Sequence, residues 1–338
     1  MTIKKVTAVG IGSAGIKIVS LLSRKSLLID RYVYVSCDEG DFSTVESEDT
    51  ILVESPIDQK MTPALVRGLA LKSRERMRGA VEGSEVVFVV AGLGGATGSG
   101  LAPVVASIAH DCGSTAVGVA VMPLEFEKKM RFYAGVSLRR LRTASKGVVV
   151  VDNDTLMRSS PDDTTLANVY DTANKAVVKA LGSLLAKATE GKSLGLNKFL
   201  GTVLQDGYAL LGVSSSAAAD KAEDALAGAV VSLGRLAETK DAGHAVVSLN
   251  ADQTLSAQEV GLAVGRLGSI MDSKALDVEY AVDYSGTAQL QVSLLASGFK
   301  STKYDDYDPL VKVLGDRSLD DEMDTALPEG LEALQAFD

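Results

Sequence analysis

Residues 91–100 read AGLGGATGSG: five glycines and two small hydroxyl residues follow the apolar run VVFVVAG, 86–92. The residues behind them, GLAPVVASIAHDCG (100–113), carry helical spacing. A glycine-rich turn between a buried strand and a helix exposes backbone N–H groups at the positive end of that helix, an arrangement suited to phosphate. A second such turn lies at the start of the chain. GIGSAG, Gly10–Gly15, separates the strand-like KKVTAVG from a helix beginning near Ile16. It matches GxGxxG, and Asp38 closes the next strand, YVYVSCD, where a dinucleotide fold puts its ribose-binding acid. That turn alone fits a nicotinamide-binding domain, or a tight strand–helix packing with no ligand. A dinucleotide fold has no use for a second cradle, so two glycine loops at one sheet edge point to a chain of phosphates gripped from both sides. Neither loop carries the GxxxxGK[ST] lysine, which excludes a P-loop.

The five runs KKVTAVG, RYVYVS, EVVFVVAG, STAVGVAVM and GVVVVD are apolar at nearly every position and spaced by helix-length segments. That pattern predicts a parallel sheet covered on both faces, with ligands at the carboxyl ends of its strands. Residues 165–187 read as one long helix. Beyond it, GYALLGV, a helix, GHAVVSL, a second helix, and then DVEYAVDY and AQLQVSLLASGF predict a smaller α+β domain, the last two forming a strand pair across a tight SGT link. The expected fold class is therefore α/β: a Rossmann-like nucleotide domain at 1–164, a central helix at 165–188, an α+β domain at 189–300, and an acidic flexible tail at 301–338.

The 338 residues suit two domains, and 46% hydrophobic content is that of a globular chain. Two cysteines, Cys37 and Cys112, give no disulfide framework, so a reducing cytoplasm is expected. His110 and His244 are too few for a zinc site or a Ser–His triad. No signal-peptide layout or long apolar span stands out, so neither secretion nor membrane insertion is expected. The net charge of −10 argues against a nucleic-acid partner. From Lys300 onward there are eleven acids against four bases. The terminal LPEGLEALQAFD spaces Leu331, Leu334 and Phe337 three apart, as in a short partner-docking helix or a frayed end.

Several ordered motifs together resemble the tubulin/FtsZ family, the FtsZ branch more than tubulin, over roughly residues 3–299. GLGGATGSG is similar to its GGGTGTG loop, with Ala96 and Ser99 as departures. PLEFEKKMR (123–131) resembles its PFxFEGxxR segment, DND (152–154) its asparagine-bearing loop, and NVYDTANKAV (168–177) its central helix. HAVVSLNADQTLSAQEV and LLASGF resemble segments of its second domain.

The resemblance implies GTP or GDP as ligand, with Mg²⁺ beside the γ-phosphate on protein ligands the sequence does not identify. It implies that Gly12, Ser13, Ala14 and Gly15 approach the α- and β-phosphates. Gly94, Gly95, Ala96, Thr97 and Gly98 would wrap the β- and γ-phosphates. Glu127 and Arg131 would contact ribose and phosphate, although as residues they equally make a solvated helix start. Asn153 and Asn174 would read the guanine edge, and Tyr170 would stack on the base. An amide suits guanine with its paired donor and acceptor, and four-residue spacing puts Tyr170 and Asn174 on one helix face.

The family hydrolyses GTP with acids, in a pattern like NxDxxD, on the loop after the central helix, which enters the next subunit's pocket. Here that stretch is GKSLGLNKFLGTVLQDG (191–207). Lys198 and Gly201, or in the other alignment Leu196 and Phe199, stand where the acids would be, and Asp206 lies beyond. Ile16 and Lys17 also replace a frequent asparagine. The expectation is an FtsZ-like cytoskeletal GTP-binding protein, self-associating head to tail into filaments, with weak or absent hydrolysis and Lys198 as a subunit-contact candidate. An active assembly-dependent GTPase and an NAD(P)-dependent oxidoreductase are the alternatives.

Overall fold

The apolar runs become strands whose side chains are buried on both faces. In the first half of the chain the order is β1 (Val6–Ile11), α1 (Gly12–Leu22), β2 (Arg31–Ser36), β3 (Thr50–Leu52), α2 (Pro63–Ala70), α3 (Arg74–Val81), β4 (Val86–Gly92), α4 (Ala96–Asp111), β5 (Thr115–Met122), α5 (Lys128–Ala144), β6 (Gly147–Asp152) and α6 (Asn153–Arg158). There follow α7 (Val169–Leu184), β7 (Gly191–Lys192), α8 (Leu196–Val203), β8 (Tyr208–Ala217), α9 (Ala222–Gly234), β9 (His244–Asn250), α10 (Ala257–Ile270), β10 (Asp277–Asp283) and β11 (Gln289–Phe299). The computed structural model describes residues 5–45, 47, 49–55, 61–158, 168–187, 191–192, 194–217, 222–251, 255–284 and 289–308.

Hydrogen bonding joins the strands in the order β3-β2-β1-β4-β5-β6-β8-β11-β9-β10-β7. From β3 to β6 every neighbour is parallel. The chain runs outward from β1 through β2 to β3, then returns and runs outward the other way from β4. The switch point therefore lies between β1 and β4, where such sheets hold ligands beyond their strand ends. One buried cluster packs α2, α4, α5, α9 and α10 on one face of the sheet; the other packs α1, α7 and α8 on the opposite face. Hence α1 and α4 follow the two strands of the switch point on opposite faces, their N-termini converging at one edge.

The second half differs from expectation in four ways. Its strands continue the first sheet, since Val149 and Val150 of β6 pair in parallel with Ala209 and Leu210 of β8. β10 and β11 are not a strand pair: β9 lies between them, parallel to β10 and antiparallel to β11. β8 occupies the other edge of β11, so no edge remains for β10. Residues 301–308 also depart from the flexible tail expected there: Tyr304 is 1% exposed within a short 3₁₀ helix, Lys303–Tyr307. The remaining tail, including Leu331, Leu334 and Phe337, lies outside the described residues. The central helix is Val169–Leu184, shorter than expected, and residues 165–167 likewise lie outside.

Candidate functional site

At the switch point a cleft of about 460 Å³ opens, lined by both glycine loops, the ends of β2 and β5, and side chains from α5, α6 and α7. Gly12 begins α1 at φ +64, a left-handed conformation that side chains rarely adopt. The residues preceding the two helices, Ile11 and Gly95, make no side-chain capping bond, and neither helix has an acid in its first turn. By contrast, Thr62 and Ser256 cap α2 and α10. Two sets of first-turn N–H groups thus face one cleft without a side-chain acceptor, and their dipoles favour an anion there.

Of the fourteen residues expected at the nucleotide, Gly12, Ser13, Ala14, Gly95, Ala96, Thr97, Gly98, Glu127, Asn153, Tyr170 and Asn174 line this cleft. Gly15, Gly94 and Arg131 do not. Gly15 lies beneath its loop, where a Cβ would strike the Val90 carbonyl. Gly94 sits at φ +106, and a Cβ on it would come 2.9 Å from Met130 Cβ. Both are loop-shaping positions. Arg131 donates to the Glu125 carbonyl, and its guanidinium lies 5.1 Å from the Tyr307 ring centroid, so it is engaged by the C-terminal segment.

Ser99 shapes the loop as well: fully buried, its Oγ accepts the Gly94 N–H at 2.8 Å. Tyr170 Oη donates to Glu127 Oε1 at 2.5 Å, and Glu127 Oε2 accepts the Leu124 N–H at 2.8 Å. Burial, then the Glu127 carboxylate, pushes the Tyr170 phenol up to about 12. Asn174 is 6% exposed and Asn153 7%. Asn153 Oδ1 is buried with no hydrogen-bond partner among the described residues, although it belongs to a residue lining the cleft. An unpaired buried amide oxygen costs free energy that a ligand N–H would recover.

Sequence reasoning noted Lys17 only as a departure from a frequent asparagine and missed Asp41. Lys17 is the one cationic side chain among the described residues lining the cleft, and it forms an exposed 3.7 Å pair with Asp171 of α7. Its place in the second turn of α1, behind a glycine loop, was the available signal. Asp38 also lines the cleft, but its Oδ1 accepts the Gly40 N–H at 2.9 Å and so shapes its own turn. Cys37 and Cys112 are free thiols; burial pushes that of Cys37 up, away from reactivity. No group of three or more His, Cys, Asp or Glu among the described residues could hold a metal ion. None of the helices described is long and apolar enough to cross a membrane.

Lys198 and Gly201 lie on the exposed side of α8, outside the cleft. Lys198 Nζ donates to Glu279 Oε2 of β10 at 2.5 Å, so its charge is already paired within the chain.

Residues 5–161 match the model of the Tubulin/FtsZ family, GTPase domain. The chain is 27% identical over 314 residues to the cell division protein FtsZ of Buchnera aphidicola (subsp. Schizaphis graminum), spanning 89% of this chain and 81% of that protein. It is 25% identical over 305 residues to cell division protein FtsZ 1 of Methanocaldococcus jannaschii, spanning 88% and 84%. In fold it resembles an empty FtsZ dimer structure of M. jannaschii, with TM-score 0.75 and 24% identity over 88% of this chain and 89% of that one. It also resembles CetZ2 of Haloferax volcanii in a GTPγS-bound protofilament, with TM-score 0.71 and 23% identity over 90% and 96%. The oxidoreductase alternative gains no support from any of these.

Proposed function

We propose, from the match of residues 5–161 to the model of the Tubulin/FtsZ family, GTPase domain, that the whole chain is an FtsZ-like cytoskeletal protein. It binds GTP in the switch-point cleft and assembles head to tail. One observation carries the ligand assignment: two helix N-termini without side-chain caps, from opposite faces of the sheet, meet in a cleft that also holds the unpaired Asn153 amide oxygen. The first suits a run of phosphates, the second a base edge with N–H donors. Lys17 adds a positive charge that can leave its exposed Asp171 partner at small cost. Mg²⁺, if bound with the nucleotide, would screen phosphate charge; among the described residues no cluster of three or more His, Cys, Asp or Glu is placed to hold it.

Exposed apolar side chains support assembly. Phe126 and Phe132 are 62% and 46% exposed on either side of Glu127 at the cleft rim, and Leu204 is 39% exposed at the end of α8. Contacts between unlike surfaces need not close on themselves, and where they do not they generate filaments. If α8 meets the next subunit's cleft, its exposed Asn197, Lys198 and Gly201 present no carboxylate to orient water, hence weak hydrolysis. A second reading, an assembly-completed GTPase, has one observation in its favour: Glu279 brings a carboxylate to the Lys198 ammonium on that same side. Phosphate release measured against protein concentration separates the two. A rate per subunit that stays negligible while sedimentation reports GTP-dependent polymer supports weak hydrolysis; a steep rise with assembly supports the second. Absence of polymer with GTP at any concentration would count against filament formation.

A further inference from the structure

The chain leaves β11 and returns across the nucleotide domain as a strap, residues 302–308, seated on α5 and on the end of β6. Thr302 and Asp305 close a capping box around the 3₁₀ turn, and the Lys303 N–H donates to the Leu236 carbonyl at 2.8 Å. Gly135 of α5 makes room: a Cβ there would lie 2.6 Å from the Tyr307 carbonyl carbon and 2.8 Å from the Asp308 nitrogen. Arg139 Nε donates to Asp308 Oδ2 at 2.8 Å, and the Asp308 side chain is 2% exposed. The Tyr304 and Tyr307 rings pack edge to face, 5.4 Å between centroids.

The innermost contact lies one residue from the cleft lining. Lys303 Nζ donates to Asp152 Oδ2 at 3.0 Å, and the Asp152 side chain is 2% exposed. The same oxygen accepts the Thr155 hydroxyl at 2.8 Å and the Thr155 N–H at 3.3 Å, fixing the first turn of α6. Asn153 is the next residue along the chain. Beside it, Asp154 Oδ1 accepts the Glu125 N–H at 3.1 Å, and Arg131 from the same α5 region is held by Glu125 and Tyr307. The turn presenting the unpaired amide oxygen is therefore clamped from behind by the strap. Removing Lys303 would leave the buried carboxylate without its cation, with Thr155 still donating to it, and would favour movement of Asp152 toward water and of Asn153 with it.

We propose that Lys303 is a positioning residue for base recognition: acting through Asp152, it holds Asn153 at the cleft, so that docking of the 302–308 strap and nucleotide occupancy are coupled. This rests on the nucleotide reading above. Coupling is reciprocal: a nucleotide that needs Asn153 in place tightens the strap, and a partner that pulls on the chain beyond residue 308 loosens the nucleotide.

The test compares GDP and ADP affinity of the full chain with those of Lys303→Met, Lys303→Arg and Asp152→Asn, and follows hydrogen exchange of residues 302–308 with and without GDP. The coupling predicts GDP affinity lower by at least about fivefold in Lys303→Met, with the GDP-over-ADP preference reduced and largely recovered in Lys303→Arg. It also predicts slower exchange of the strap in the unaltered chain when GDP is bound. A merely structural contact would lower melting temperature without moving the GDP-to-ADP ratio, and that result would overturn the proposal. Should Lys303→Met fail to fold, strap exchange in the unaltered chain decides: unchanged protection on GDP binding overturns the coupling. An unaltered chain that binds no GDP would overturn the nucleotide reading itself, and the coupling with it.

Discussion

Tyr170 on α7 and Glu127 before α5 join hands across the mouth of the cleft, phenol to carboxylate at 2.5 Å. The bond connects the helix that follows α6 to the segment that follows β5, two of the elements that line the cleft. Tyr170 keeps 44% of its surface exposed, which leaves its ring face available for stacking.

Removing only the hydroxyl, in Tyr170→Phe, is expected to cost about 0.5–1.5 kcal/mol of stability and to leave GDP binding nearly intact. Tyr170→Ala removes the ring, and guanine nucleotide affinity is expected to fall by about 1–3 kcal/mol, the scale of one base–aromatic stack. Calorimetric titration with GDP on both variants checks this.

The same bond has a pH signature. A phenol held at about 12 in the folded chain but near its ordinary 10 when unfolded keeps its proton longer in the native state. Its stabilisation is complete below pH ~10 and is lost as pH rises from there through about 12. Absorbance titration of tyrosinate in Tyr170→Phe should show one fewer group ionising near the top of that range, where Tyr32 also titrates.

Two glycines of the cradle separate shape from binding. A Cβ at Gly15 collides with the Val90 carbonyl, so Gly15→Ala is expected to lose about 1–3 kcal/mol of stability. A Cβ at Gly95 meets nothing within 4 Å, so Gly95→Ala should melt with the parent chain while weakening nucleotide binding at the loop. Thermal melts paired with nucleotide affinity for each variant decide.

Asn153→Ala removes a buried oxygen that has no hydrogen-bond partner among the described residues. Its melting temperature without nucleotide is expected to be unchanged or raised, while the preference for guanine over adenine falls by about 1–3 kcal/mol, the cost of one unmade buried hydrogen bond. Competition of GDP against ADP measures it.

The parts of this arrangement visible in the sequence are those set by local chemistry. Doubly apolar runs ending in glycine have few foldings other than strand–turn–helix, so both glycine loops that line the cleft were legible from residues 10–15 and 91–100. Asn153, Tyr170 and Asn174 carry no local signature and were found only through resemblance to a family. What failed depended on distant partners. Adjacent strands with a short link read as a pair, yet β9, dozens of residues earlier, occupies the place between β10 and β11. Arg131 looked free for a phosphate because nothing near it announces Tyr307, about 175 residues on. The strap itself was read as tail because KYDDYD is charged. Its signals were Thr302 three residues before Asp305 and two tyrosines three apart, one of which is wholly buried.

The central claim is that the switch-point cleft is a guanine nucleotide site with little hydrolysis. The most direct measurement is chromatographic identification of the nucleotide bound and released after the purified chain is incubated with GTP and Mg²⁺. Intact GTP retained on the protein is the predicted result. GDP accumulating in proportion to protein and time would contradict weak hydrolysis and turn attention to Glu279, and a chain carrying no guanine nucleotide at all would contradict the site.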